Sequence, residues 1–307
     1  MNHDPLECRN LKYAKRLRQF FSGGMMLDQV TTSVVVALPG RGPVCLALVM
    51  AGFLLCSPLH GQQGPRVRKS RPAANAVLER LPMEQLTLPA RKKIVDVVSR
   101  PSIHREAPAR TITCDKDLYT HMVQHPEIVV NIWQIMGITE LRLKRTEPFT
   151  YKATDGAGTS SNLELIYSTP ELHIFYAEGS YAGKWLGQGL KGRCVVILRS
   201  DFSIERARPR VKHRIEVFIR LEEVAADVLA RTLKPLIGKL IQYNFEQSSG
   251  FIEQIHEVAE NRQPGMDRMI SRMTHVEPVV KDRFVRLLGE IRQPLSVADT
   301  EDPALRR

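Results

Sequence analysis

An α+β fold, in which an antiparallel sheet of about seven strands curves around a long C-terminal helix, is what the sequence predicts. Three observations carry it. Between residues 140 and 219 apolar and polar side chains alternate with period two, with turn residues between the runs. From Glu222 to about Asn261 that alternation is gone, and apolar residues recur at helical spacing. Ahead of the alternating region, two short helical patterns fill the stretch from Asp115 to Gly137.

Composition agrees with a globular chain. The 307 residues are 43% hydrophobic and 25% charged, which excludes a disordered chain, a collagen-like repeat and a multi-span membrane protein. Lys and Arg number 44 against 33 Asp and Glu, a net charge of +11. So basic a protein suits anionic surfaces such as phospholipid headgroups or envelope polymers, and no specific nucleic-acid partner is expected.

Val44 to Leu55 reads VCLALVMAGFLL, preceded by Arg41 and followed by Ser57-Pro58-Leu59-His60-Gly61. The run is too short for a bilayer span of roughly 20 residues, but fits the core of a secretory signal. Residues 1–61 are therefore expected to be a signal-peptide region, with Met25 or Met26 as alternative starts. The protein is expected to be secreted or periplasmic; an uncleaved N-terminal anchor is the alternative. Residues 62–108, basic and punctuated by prolines, read as a leader with short helices near 74–81 and 90–99 and no core of their own. Residues 109–261 form the main domain. Residues 262–307 read as a helical extension, Gly265 to Met273 and Glu277 to Ile291, with a mobile acidic tail.

The main domain opens on a strand, Arg110 to Cys114. Asp115 caps a helix running to Gln124, and Pro126 suits the first position of a second helix that Gly137 ends. Strands follow at Glu140 to Lys144 and Phe149 to Thr154. Asp155-Gly156-Ala157-Gly158 is a hairpin turn, because Asp-Gly tolerates positive φ. Asn162 to Tyr167, Leu172 to Ala177 and Cys194 to Ser200 are further strands, and Gly179 to Gly192 reads as a glycine-rich loop. In the last strand Arg208, Arg210, Lys212, Arg214 and Glu216 take one face, and Val211, His213, Ile215, Val217 and Ile219 the other. The long helix presents Leu229, Leu233, Leu236 and Leu240 as a stripe, and Pro235 predicts a kink. Cys114 and Cys194 remain in the exported chain, either as one disulfide or as two buried thiols.

This order of strand, two short helices, six strands and one long helix resembles the helix-grip layout of the START-like, or SRPBCC, superfamily, which includes lipid-transfer domains and aromatase/cyclases. The resemblance covers residues 109–260 and lies in element order. The segments HPEIVVNIWQIMGI, TYKATDGAGTSSNLELIY and GSYAGKWLGQGLKGRCVVILRS also resemble secreted proteins of planctomycete-type bacteria to which no activity is assigned. The helix-grip resemblance implies an apolar cavity between sheet and helix, lined by Val211, His213, Ile215, Val217 and the leucine stripe.

Candidate chemistry is sparse. Gly179-Ser180-Tyr181-Ala182-Gly183-Lys184 misses the phosphate-loop spacing, and Trp185 stands where a Ser or Thr must meet magnesium. His121 and His125 are four apart but lack both an intervening Glu and a third ligand. No G-x-S-x-G elbow occurs. No catalytic residue, metal or cofactor is assigned. His213, placed among apolar neighbours, can hydrogen-bond a ligand, and Tyr151, Tyr167 and Tyr176 are expected to share its interior. The expected function is an exported carrier or sensor of an apolar ligand, lipid-like or polycyclic. The alternatives are an envelope interaction protein with a filled core, or a cyclase- or hydrolase-type enzyme using the same cavity.

Overall fold

The computed structural model describes residues 76–182, 190–222, 226–261 and 265–292, with side chains of the long helix described from Ile237 onward. The expected signal region lies outside these residues, as do the side chains of Leu229, Leu233 and Leu236. In chain order the elements are α1 (Leu88–Val98), β1 (Ile103–Glu106), β2 (Arg110–Thr113), α2 (Lys116–Gln124), α3 (Pro126–Ile135), β3 (Arg142–Glu147), β4 (Thr150–Thr154), β5 (Thr159–Ser168), β6 (Leu172–Tyr181), β7 (Leu190–Glu205), β8 (Arg208–Leu221), α4 (Ala226–Glu260), α5 (Gly265–Arg272) and α6 (Pro278–Arg292).

All strands join one antiparallel sheet in the order β1-β8-β7-β6-β5-β4-β3, with β2 also paired to β8. The α+β class, the antiparallel sheet and the long C-terminal helix are as the sequence predicts. β1 and β2 are one line along β8, interrupted at Pro108, which has no N–H to give the ladder. Asp115 caps α2, its Oδ1 accepting from the N–H groups of Asp117 and Leu118. Pro126 starts α3, and Gly137 leaves it at φ 65°.

Both sheet faces are covered. On the inner face α2, α3, α4, α5 and α6 enclose the main core, α4 lying over β1, β2 and β8 and packing against α2 and α6. On the outer face α1 sets Ala90, Ile94, Val97 and Val98 against Ile174, Tyr176, Val195, Ile197 and Phe218. The leader, expected to have no core of its own, packs here against the sheet and shares a second cluster with it. Asp96 fixes it there by pairing with both Arg193 and Arg220.

Three expectations need correction. Gly179 and Gly192 are not loop residues: β6 runs to Tyr181 and β7 starts at Leu190. Gly179 is required inside the sheet, because a Cβ there would lie 2.7 Å from the Ser160 carbonyl oxygen and from Ser161 Cβ. Tyr167 and Tyr176 do not share the interior of Tyr151. Tyr176 has the parity of Leu172 and Ile174, which face α1. Tyr167 is turned to that side by a bulge between Leu165 and Tyr167, which shifts the register. Finally, α4 remains helical through Pro235 and Gly250, and its core stripe is Ile237, Ile241, Phe245, Ile252 and Ile255, with Leu240 only half-buried.

Candidate functional site

The inner face has two unlike ends. Towards β1, β2 and β8 it is bulky: Val211, Ile215, Val217 and Ile219 are fully buried beneath α4. The predicted inward row is therefore correct in direction. Its place is a packed core shared with Ile237, Ile241, Phe245 and Phe251, where interiors reach crystal-like density.

His213 sits within that end. Its Nδ1 lies 2.9 Å from Tyr119 Oη, which lies 2.8 Å from Ser200 Oγ. The Phe245 ring tilts across the imidazole at a centroid distance of 4.9 Å. Burial, with a smaller contribution from the Arg110 charge, pushes the His213 pKa down to about 3. Burial likewise pushes the Tyr119 phenol up. At neutral pH both groups are uncharged. The phenol has one proton to give and bridges the hydroxyl and the imidazole, while His213 Nε2 keeps no protein partner in either tautomer. This trio fastens α2 to β7 and β8. It has no carboxylate to stabilise an imidazolium, so it is a structural network and not a charge-stabilised acid/base pair.

His173, on β6, is fully buried with neither ring nitrogen partnered, and burial pushes its pKa down to about 4. His173 and His213 are thus two inward imidazoles that each keep an unpaired nitrogen.

Towards the middle of the sheet the inner face becomes small. One register row crosses β3 to β8 as Leu143, Ala153, Ser161, Gly179, Gly192 and Leu221. The adjacent row crosses β4 to β8 as Tyr151, Leu163, Ala177, Cys194 and Ile219. Six contiguous positions on four strands thus carry glycine, alanine, serine or cysteine, framed by leucines, an isoleucine and Tyr151. The glycine-rich composition near 179–192 was the sequence signal for this floor, but it reads as a loop until the register is known. Cys194 is a free, buried thiol whose pKa burial raises to about 12, and Cys114 is also free and buried.

Tyr151 marks the rim of that floor. Its hydroxyl donates to the Gln124 carbonyl at 3.2 Å and receives Arg145 Nη2 at 3.3 Å. Arg145 also meets Glu127 Oε1 at 2.5 Å and Glu277 at 3.3 Å, joining α3, β3 and the start of α6. Burial alone would raise the Glu127 pKa; the His125 hydrogen bond and the Arg145 charge outweigh it and hold the carboxyl below its ordinary range. His121 Nε2 contacts the Val280 carbonyl at 3.0 Å. Among the described residues no cluster of three or more His, Cys, Asp and Glu side chains is arranged to hold a metal.

The clearest cavities among the described residues open away from α4. One, of about 640 Å³, lies at the corner of α3, the β3–β4 pair and the α5–α6 connection. Another, of about 410 Å³, lies on α6 beside Val279, Asp282, Val285 and Arg286.

No protein-family model matches the chain. No curated protein matches it by sequence. Among solved structures, a conserved protein from Geobacillus kaustophilus is similar at 12% identity and TM-score 0.36, over 52% of this chain and 97% of that one. A hypothetical protein from Helicobacter pylori is similar at 8% identity and TM-score 0.34, over 49% and 88%. The di-domain ARO/CYC protein of the steffimycin biosynthetic pathway is similar at 12% identity and TM-score 0.29, over 52% and 56%. The fold assignment rests on the element order and sheet register above.

Proposed function

We propose that this protein is a ligand-binding module, a carrier or sensor that holds an apolar, lipid-like or polycyclic molecule against the inner face of its sheet. The observation that carries the reading is the floor of six small residues, Ala153, Ser161, Ala177, Gly179, Gly192 and Cys194, at the centre of a face that is otherwise bulky. Gly179 answers to strand approach, but a sheet meant only to be packed by its own helices gains nothing from small residues at Ala153, Ala177 and Cys194, since each lost methylene forfeits about 0.8 kcal/mol of burial. A guest of the usual pocket size, roughly 300–1,000 Å³, would recover that burial. Tyr151, Leu163 and Ile219, which end or interrupt the small-residue rows, would wall the guest.

The ligand position differs from the one the sequence suggests. It moves from the Val211, His213 and Ile215 row, which α4 fills, to the floor beside it. Export and contact with an anionic envelope surface belong to the same proposal, supported by the VCLALVMAGFLL run and the net charge of +11. An enzyme reading gains little support, because the His213 network lacks a charged partner. The filled end under α4 favours the second reading, an envelope interaction protein with no guest.

Native mass spectrometry of protein purified from its own host separates the two. The carrier reading expects a stoichiometric apolar adduct, released by organic extraction and lost in Ala153→Phe. A wild-type protein of bare polypeptide mass would support the interaction reading instead.

A further inference from the structure

We infer that the 640 Å³ corner cavity is a second, polar site that binds an amino-acid-type zwitterion, independently of the apolar chamber. Three elements converge there: the last turn of α3 with Asn131, Gln134 and Ile135, the β3–β4 pair with Arg142 and Thr154, and the loop before α6 with Thr274 and His275. Asn131 is only 3% exposed and lines the cavity. Its Nδ2 donates to Gln134 Oε1 and to His275 Nδ1, both at 3.2 Å, and this pair of acceptors fixes which way the amide points. Oδ1 is thereby left buried with no partner, an acceptor awaiting a donor.

Two charges line the same cavity as Asn131. Glu140 and Arg142 both line the cavity, two residues apart, yet neither side chain pairs with the other or with any other described residue. Opposite charges this close in sequence normally neutralise each other or protein neighbours; here both remain available within one cavity. A ligand ammonium satisfies Glu140 and Asn131 Oδ1, near a helix C-terminus whose partial negative charge favours cations. A ligand carboxylate satisfies the Arg142 fork. Because His275 Nδ1 accepts from Asn131, the neutral ring carries its proton on Nε2 and can donate as well. A neutral sugar would use the hydroxyls of Thr154 and Thr274 but leave both charges without counterparts.

The test uses the full exported chain and four probes: L-leucine, butylamine, butyrate and glucose. Titrations followed by the side-chain amide signals of Asn131 and Gln134 should show saturable shifts with L-leucine, and affinities at least roughly tenfold weaker for butylamine and butyrate. Glu140→Gln and Arg142→Gln, both at exposed side chains, should each weaken L-leucine roughly tenfold while leaving the unfolding midpoint unchanged. No saturable shift with L-leucine, an equal or stronger response to glucose, or unchanged affinity in both variants would overturn the assignment. Loss of the apolar adduct in Ala153→Phe should leave L-leucine binding intact, so the two sites stand or fall separately.

Discussion

The two ends of the inner face use one sheet in opposite ways. Under α4 the strands carry Val211, His213, Ile215 and Val217, and the helix answers with Ile237, Ile241 and Phe245. On the four strands next to β8 the same face carries Gly192, Gly179, Ser161 and Ala153. The first end is built to close, with a buried Tyr119 bridge fastening α2 to the sheet. The second carries only small side chains, and on the proposed reading a guest would lie over them. The difference teaches that one sheet face can change character from bulky to small along its register rows, so the layout of elements alone does not fix where a guest would lie.

Acid should separate the ends most strongly. His213, His173 and His121 have pKa values lowered to about 3, 4 and 4 from the usual 6.5, and burial is the first cause in each. Unfolded, they take up protons below pH 6.5; folded, they stay neutral until about pH 4. Stability from these groups is therefore intact above about pH 7, falls as pH drops from 6.5, and levels off near pH 3. The combined loss is on the order of 10 kcal/mol. Urea midpoints between pH 7 and 4 should fall steeply, and a His213→Phe, His173→Phe pair should flatten most of that dependence. The small-residue floor has no group that titrates in this window.

Volume changes should have unequal consequences. Trp133→Ala removes a fully buried indole that meets the Phe251 ring edge-on at 5.5 Å, and should cost ~3–5 kcal/mol. Ala153→Leu adds volume on the floor and should cost less than ~1 kcal/mol if space is reserved there. A filled interior would instead charge ~1–3 kcal/mol for the added methylenes. Equilibrium denaturation of the two variants side by side sharpens or breaks the comparison.

Tyr119→Phe is a smaller change. It should destabilise by ~1–3 kcal/mol, because it strips the one protein partner of His213 Nδ1 and of Ser200 Oγ together. Replacing Ser200 as well by alanine should add little, since the two groups act as one network.

Much of this architecture was legible because local chemistry and tertiary role agree. The Asp115 cap, Pro126 at a helix start, the turn at Asp155-Gly156 and the alternation through Val211 to Ile219 all report their structure directly. β1 was hidden, since His104-Arg105-Glu106 looks like a solvated loop, although His104 stacks on Phe218 and pairs with Glu216. The side of the sheet taken by Tyr167 depends on a bulge, which shifts parity without any change in composition. Gly179 and Gly192 mislead for a related reason: a glycine placed for close strand approach resembles one placed for a turn. Of the predicted α4 stripe only Leu240 lies among the described side chains, half-buried beside the Ile237, Ile241 and Phe245 line. The floor itself could not be read at all without register, as its six residues come from four strands.

The measurement closest to the central claim is a titration of the protein with anilinonaphthalene sulfonate, an apolar polycyclic probe, after organic extraction and refolding. Wild type should bind one probe with saturable fluorescence. Ala153→Phe should abolish that binding at unchanged thermal stability, whereas Val211→Ala, at the packed end, should leave the affinity unchanged. Equal probe binding by wild type and Ala153→Phe, or none by either, would contradict a chamber over the small-residue floor.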